Sequence, residues 1–231
     1  MNKAFDTQIG SREWLDVIGQ GAAQMGLTVS HAQAAQFAHH AQLLLQWNSK
    51  INLTAITDPI QVAVKHYLDA IAPLSHIPSQ GCLLDIGTGG GFPGIPLKIM
   101  RPRQPMTLID GVRKKINFVK HVIRELDLNR IEALHTRAED LKNRATHKAG
   151  FDVIVCRALA DLNAVVHLAL PMLRQDGCIL AYHGPRAVIQ DSDDMVNVSI
   201  KEHRGHLQRL THTYRLPVFG DNRAVSILRI T

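Results

Sequence analysis

Apolar residues recur at helical spacing through the first 75 positions and in short strand-like runs from position 82 onward. Trp14, Leu15, Ile18 and Met25 predict a helix within 11–25, which Gly26 ends. Ser30 with Gln33 makes a capping-box pattern ahead of a longer helix that carries Phe37, Leu43, Leu44 and Trp47. The run Asn48-Ser49-Lys50-Ile51-Asn52-Leu53-Thr54 interrupts it. Asp58-Pro59 is an N-cap followed by proline at the first helical position, and Ile60, Val64, Tyr67, Leu68 and Ile71 predict a third helix.

Compact apolar runs at 82–86, 106–110, 131–135, 151–156 and 178–183 predict buried strands. Helical patterns at about 94–101, 113–126 and 161–174 alternate with them, which predicts an α/β fold with a largely parallel sheet. Residues 186–204 are polar and predict a helix or loop around Val188 to Ile200. An antiparallel pair is predicted at 207–216 and 224–230, because Ala224 to Ile230 alternates. The expected organisation is a helical lobe over 1–75 and an α/β domain over 76–231. A chain of 231 residues with 45% hydrophobic content suits one globular domain with such a lobe.

Composition narrows the class. No apolar run approaches the roughly 18–20 residues of a membrane span. Lys3 and Asp6, with no apolar stretch behind them, predict no signal peptide. Cys82, Cys156 and Cys178 each lie in a strand-like run, so they read as buried reduced thiols of a cytoplasmic protein. The net charge is +6, and residues 98–144 hold 12 Lys/Arg against 6 Asp/Glu. That stretch is either a set of solvated helix faces or an electrostatic footprint for a polyanion.

The chemistry gathers at residues 82–97. Gly87, Gly89, Gly90, Gly91 and Gly94 fill the turn between a strand and a helix. Strand, glycine turn and helix form the nucleotide-cofactor corner of an open α/β sheet. Two cofactors compete for it. Gly89-Gly90-Gly91-Phe92-Pro93-Gly94 satisfies the G-x-G-x-x-G pattern of NAD enzymes, with Asp110 where a ribose-binding acid should lie. Asp85-Ile86-Gly87-Thr88-Gly89-Gly90-Gly91 is instead an acid followed by spaced glycines, like motif I of S-adenosylmethionine methyltransferases. The second reading is preferred. A carboxylate at Asp85 suits a cationic methionine moiety and would repel a pyrophosphate. Pro93 also lacks an N–H where a dinucleotide turn needs free amides.

Over Trp47 to Ile230 the sequence resembles the bacterial 16S ribosomal RNA guanine-N7 methyltransferase family, once called glucose-inhibited division protein B. The resemblance rests on Trp47-Asn48, Asn52-Leu53-Thr54, His66 with Asp69, Asp85 to Pro96, and Leu108-Ile109-Asp110. It continues through Arg113-Lys114-Lys115, Phe118, Arg137-Ala138-Glu139-Asp140, Arg157-Ala158 and Gly220-Asp221-Asn222-Arg223. It implies a Rossmann-like S-adenosylmethionine methyltransferase fold with a seven-stranded mixed sheet. It also implies transfer of methyl from S-adenosyl-L-methionine to a guanine of the 527 type in 16S ribosomal RNA. The RNA, or a small-subunit particle, is the implied partner of a monomeric enzyme. Gly87 and Phe92 match turn residues that contact the cofactor, Ala138 and Glu139 match the pair beside the adenine, and Arg157 matches a binding arginine. Asp85, Gly89 and Asp110 complete the cofactor set by position, and Arg113, Lys114, Lys115 and His183 are the RNA-facing candidates. His183 departs from the family, which often has lysine there.

The reaction so implied needs no general base. Guanine N7 carries an in-plane lone pair and no proton, so it attacks the sulfonium methyl directly. Alignment then supplies most of the acceleration, roughly 7–11 kcal/mol for well-oriented pairs. Arg157 is the positioning candidate, and no residue is assigned as acid or base. Cys156-Arg157-Ala158-Leu159 replaces the Asn/Asp-Pro-Pro-aromatic motif of adenine-N6 enzymes, and no cysteine follows proline as in cytosine-C5 enzymes. Cys156 reads as a packed strand residue, and His203-Arg204-Gly205-His206 as a surface segment rather than a metal site. Asn48 and Asn52 read as turn caps unless the resemblance tips them toward RNA, and His66 with Asp69 as a pair one helical turn apart. A small-molecule methyltransferase, a silent RNA-binding module and an NAD oxidoreductase are the competing readings.

Overall fold

A computed structural model describes residues 7–141, 150–157, 161–184, 192–200 and 203–230. The chain opens with two helices, α1 (Arg12–Gln24) and α2 (His31–Asn48). The Ser30 hydroxyl accepts from the Gln33 amide while the Gln33 side chain accepts from the Ser30 amide, so the capping box starts α2 as its sequence predicts. The third predicted helix is a composite. α3 (Pro59–Val62), capped by Asp58, passes into a π-helical segment (Ala63–Leu68), then α4 (Asp69–Ile71) and a 3-10 turn (Ala72–His76). π-segments inside helices occur often at functional sites, and this one carries Lys65, His66 and Tyr67.

The sheet begins at β1 (Leu83–Ile86), followed by α5 (Gly94–Met100), β2 (Met106–Asp110), α6 (Arg113–Glu125), β3 (Ile131–His135) and α7 (Ala138–Leu141). Then come β4 (Phe151–Arg157), α8 (Leu162–Ala169), β5 (Leu173–Tyr182), β6 (Ser192–Ile200), β7 (His203–Arg215) and β8 (Asn222–Ile230). The order across the sheet is β3-β2-β1-β4-β5-β8-β7-β6. The first five strands are parallel, and β8, β7 and β6 continue the sheet antiparallel. The strand order reverses between β1 and β4, and ligands of open α/β sheets bind outside the carboxyl ends of strands at such a point.

One difference from the sequence reading stands out. Among the described residues the sheet has eight strands rather than seven. The extra one is β6, in the stretch predicted as helix or loop, where Ser192 to Ile200 pairs with Thr211 to His203. Long-range pairing with β7 decides that segment, and local polarity does not reveal it. Val188, Ala158 and Leu159, Lys142 and Arg144 of the basic stretch, and residues 186–191 lie outside the described residues.

Both faces of the sheet are covered by apolar packing. One core runs without a break from Trp14, Phe37 and Tyr67 of the helical segment to Leu83, Leu108, Val155 and Ile227 of the strands. The other packs Leu84, Ile109, Ile154 and Ile179 against Val165, Ala169 and Leu170 of α8 and the turn after it. The helical segment therefore shares its core with the face of the sheet on which α5 and α6 lie.

Candidate functional site

The glycine turn after β1 is closed by the protein itself. Gly87 and Thr88 donate to the Ile109 carbonyl, Gly91 and Phe92 to that of Thr88, Gly89 to Asp110 Oδ2 and Gly94 to Asp85 Oδ2. A pyrophosphate would find these amides taken, which removes the main support for the dinucleotide reading. Gly87 has φ +74°, and among the described residues no atom beyond its chain neighbours lies within 4 Å of where its Cβ would be. Gly94 is required for the opposite reason, since a Cβ there would come 2.7 Å from Asp85 Oδ2 and 2.9 Å from Leu108 Cγ.

Asp85 is fully buried beneath the turn, and its Oδ1 has no hydrogen-bond partner among the described residues. Burial pushes its carboxyl up to about 7. The Thr88 hydroxyl lies close enough to pull the other way, but it too makes no hydrogen bond among the described residues. The structure thus places Asp85 as a brace on Gly94, with no face open to solvent. Asp110 spans two elements: Oδ2 accepts from Gly89 and Oδ1 from Val112 at 2.8 Å. Its carboxylate stands at the start of α6, where it offsets part of the cost of Arg113, Lys114 and Lys115 in the first turn. Arg113 and Lys114 are exposed and Lys115 is half-buried. After β3, Ala138 is buried and Glu139 exposed at the first turn of α7.

Phe92 is turned inward. His66 stacks on it at 4.6 Å and 18°, His40 stacks on it at 5.0 Å and 29°, and Tyr67 meets it edge-on at 5.3 Å. His40 Nε2 lies 3.0 Å from the Gly90 carbonyl, so that nitrogen carries the proton and donates. Burial holds His40 and His66 down at about 3, and both rings are neutral at ordinary pH. His66 does not pair with Asp69 as their spacing suggests. Its Nε2 lies 2.8 Å from Thr54 Oγ1, and Asn48 Oδ1 accepts from Leu53 and Thr54. A chain of contacts therefore runs from the Asn48–Thr54 loop through His66 to the glycine turn. Sequence reasoning misses His40 altogether; its place on the inner face of α2 is the available signal.

Beside this turn, β4 ends at Arg157. Its Nη2 donates to the Lys65 carbonyl at 2.6 Å and lies 3.1 Å from Asp69 Oδ2, while Nη1 is buried with no hydrogen-bond partner among the described residues. An unpaired buried guanidinium nitrogen is costly unless a ligand completes it. Asp69 Oδ1 accepts from the Tyr214 hydroxyl at 2.8 Å and lies 3.8 Å from Arg223 Nε. Arg157, Asp69, Arg223, Lys65, Gln61, Ile56, His183, Asp221 and Asn222 line a cavity of about 670 Å³. His183 Nε2 lies 2.8 Å from Ser226 Oγ, and burial lowers its tendency to charge, so it enters the cavity more as a hydrogen-bonding group than as a cation. Cys156 is buried and its thiol is pushed up to about 12, which leaves it inert. A second cavity, of about 500 Å³, lies at the opposite edge among the starts of β1 to β4, away from these groups.

The predicted residues thus fall at one edge of the sheet, the carboxyl ends of β1 to β5. The described residues contain no cluster of His, Cys, Asp or Glu able to hold a metal ion, and no helix long and apolar enough to cross a membrane.

Residues 33–208 match the family model described as rRNA small subunit methyltransferase G. A Geobacter metallireducens protein named ribosomal RNA small subunit methyltransferase G is 39% identical over 94% of this chain and 96% of its own. A Desulforamulus reducens protein of the same name is 38% identical over 91% and 87%. Among solved structures, a precorrin-6y C5,15-methyltransferase from Geobacter metallireducens aligns over 78% of this chain and 92% of its own, at 10% identity and a TM-score of 0.45.

Proposed function

Because this chain belongs to the rRNA small subunit methyltransferase G family, we propose that it methylates guanine N7 at a 527-type site of 16S ribosomal RNA. The methyl donor is S-adenosyl-L-methionine, and the chain is a ribosomal RNA methyltransferase. The observation that carries the finer reading is Arg157, whose buried Nη1 has no hydrogen-bond partner among the described residues and which lines the cavity with Lys65 and Arg223. Gly87, Gly89, Asp110, Ala138 and Glu139 hold the cofactor along the strand ends, with Asp85 and Phe92 shaping the turn from beneath. S-adenosylmethionine held there would supply its methyl group to a guanine seated in the cavity.

Transfer proceeds in line, without a base. Cys156 and His66 are both shifted away from proton exchange near neutrality. Asp85 is the group whose carboxyl burial brings to about 7, yet it is fully buried and committed to the Gly94 amide. Arg113, Lys114 and Lys115 carry RNA phosphates, and His183 adds a hydrogen bond. The enzyme acts in the cytoplasm as a monomer, on 16S RNA or a small-subunit particle. The helical segment 1–75 serves as the lobe that props the cofactor turn.

The test is transfer of labelled methyl to RNA from cells lacking this protein, with the modified nucleotide mapped. Methyl on guanine N7 of 16S RNA is expected; methyl on adenine or cytosine overturns the assignment. The single-turnover rate should stay flat between about pH 6.5 and 8.5. A unit-slope rise centred near 7 that Asp85→Asn abolishes would establish a base. Cys156→Ala should keep most activity and Arg157→Ala should lose much more.

A further inference from the structure

The turn between β7 and β8 presents an aromatic ring beside Lys65, one of the residues that line the Arg157 cavity. Its base is fixed. Leu216 is buried, and Pro217 packs against α1, with Cγ 3.4 Å from where a Cβ on Gly21 would lie. The Leu216 amide donates to the Asp221 carbonyl, the Gly220 amide to that of Leu216, the Phe219 amide to that of Pro217, and Arg215 Nε to that of Gly220. Its tip is apolar and exposed: Val218 is 64% and Phe219 42% exposed. Val218 also holds φ +67°, a conformation that a β-branched residue adopts only under constraint. Phe219 is the aromatic among the large exposed apolar residues described.

The ring's neighbours are the cavity's own. Lys65 Nζ sits 5.1 Å from the Phe219 ring centroid and 3.5 Å from Asp221 Oδ2, and Asp221 lies 3.4 Å from Arg223 Nη2. Lys65, Asp221 and Arg223 all line the cavity. An exposed aromatic face beside Lys65, which shares Asp221 with Arg223, brings together the ring and the cations that binding of unpaired nucleic acid uses.

We propose that Phe219 is a stacking platform for an unpaired RNA base adjoining the methylated guanine. The proposal rests on the RNA methyltransferase reading above. Guanine N7 is out of reach inside an A-form helix, so the target must leave its stack. A base that loses its neighbour exposes a π face, and Phe219, beside the cavity's Lys65, covers it. Base–aromatic stacking of ordinary strength predicts about a tenfold effect or more on RNA affinity.

The experiment compares Phe219→Ala, Phe219→Leu and Phe219→Trp with the wild type, using 16S RNA from cells lacking the protein. Phe219→Ala should raise KM for RNA about tenfold while kcat, cofactor affinity and melting temperature stay near wild type. Phe219→Trp should retain a low KM, and its added indole fluorescence should be quenched by an unpaired oligonucleotide spanning the target. Phe219→Leu should behave like alanine, because it restores apolar bulk without a π face. An unchanged KM in Phe219→Ala, or full rescue by leucine, overturns the proposal while wild-type transfer stands. Absence of wild-type transfer to any RNA would instead overturn the reading on which it rests.

Discussion

His66 and Phe92 stack with ring centroids 4.6 Å apart and planes 18° apart, joining the π-helical segment to the glycine turn. The turn therefore packs against a residue 26 positions earlier in the chain. His66→Ala removes the stack and the Thr54 contact together. It should weaken S-adenosylmethionine binding several-fold and lower stability by roughly 2–4 kcal/mol, as for other large buried truncations. Calorimetry and denaturant unfolding on the same samples measure both. Unchanged cofactor affinity in a folded variant would show that the stack supports the fold alone.

Acid should destabilise the protein through its buried imidazoles. His40 and His66 fall from 6.5 to about 3 on folding, so the unfolded chain binds more protons between those values. Their stabilisation is complete above about pH 6.5 and is lost as pH falls toward 3. Between pH 6.5 and 5 each contributes a loss of about 2 kcal/mol. Asp85, raised from 3.8 to about 7, has the opposite sign and offsets one of the two over much of that range. Urea unfolding at a series of pH values should show stability rising with pH, and His40→Phe should flatten the rise.

Gly87→Asn isolates the open side of the turn. Asparagine tolerates the left-handed region better than most residues, and among the described residues nothing beyond its chain neighbours lies within 4 Å of the new Cβ. The variant should fold with little loss of stability yet bind S-adenosylmethionine at least tenfold more weakly. A valine would confound the test, because strain at φ +74° would itself perturb the turn. Normal affinity in folded Gly87→Asn would move the cofactor away from this position.

Replacing Lys114 and Lys115 together by alanine should weaken RNA binding. It should also reduce the salt dependence of log K by roughly one for each phosphate no longer neutralised. Cofactor affinity should hardly change, since both lie on α6 beyond Asp110. Filter binding at a series of salt concentrations decides it; an unaltered slope would make this helix start a solvated face.

The parallel strands and the glycine turn are legible in the sequence because burial on both faces writes continuous apolar runs such as Leu83 to Ile86. Caps are legible too, since Ser30 and Asp58 act within three residues of their own position. What stays hidden depends on distant partners. β6 exists through its pairing with β7, and the composite third helix gives no local sign of its π-segment. The same holds for side-chain roles. Phe92 reads as part of the cofactor turn, but only the fold shows His40 and His66 against it. Asp85 reads as facing the cofactor, and only packing shows it underneath.

Asp69 gathers its partners from across the chain. Tyr214, on β7, is 145 residues away, and Arg157 and Arg223 come from β4 and β8. During translation Asp69 leaves the ribosome before Arg157, and Arg157 before Tyr214 and Arg223. Until then the cavity has only part of its wall, and Asp69 must wait in solvent or in other company. Domains form as units during synthesis at about 5–20 residues per second, so this delay spans several seconds at least. The cavity therefore becomes a complete site only once β8 has joined the sheet, however early its other walls fold.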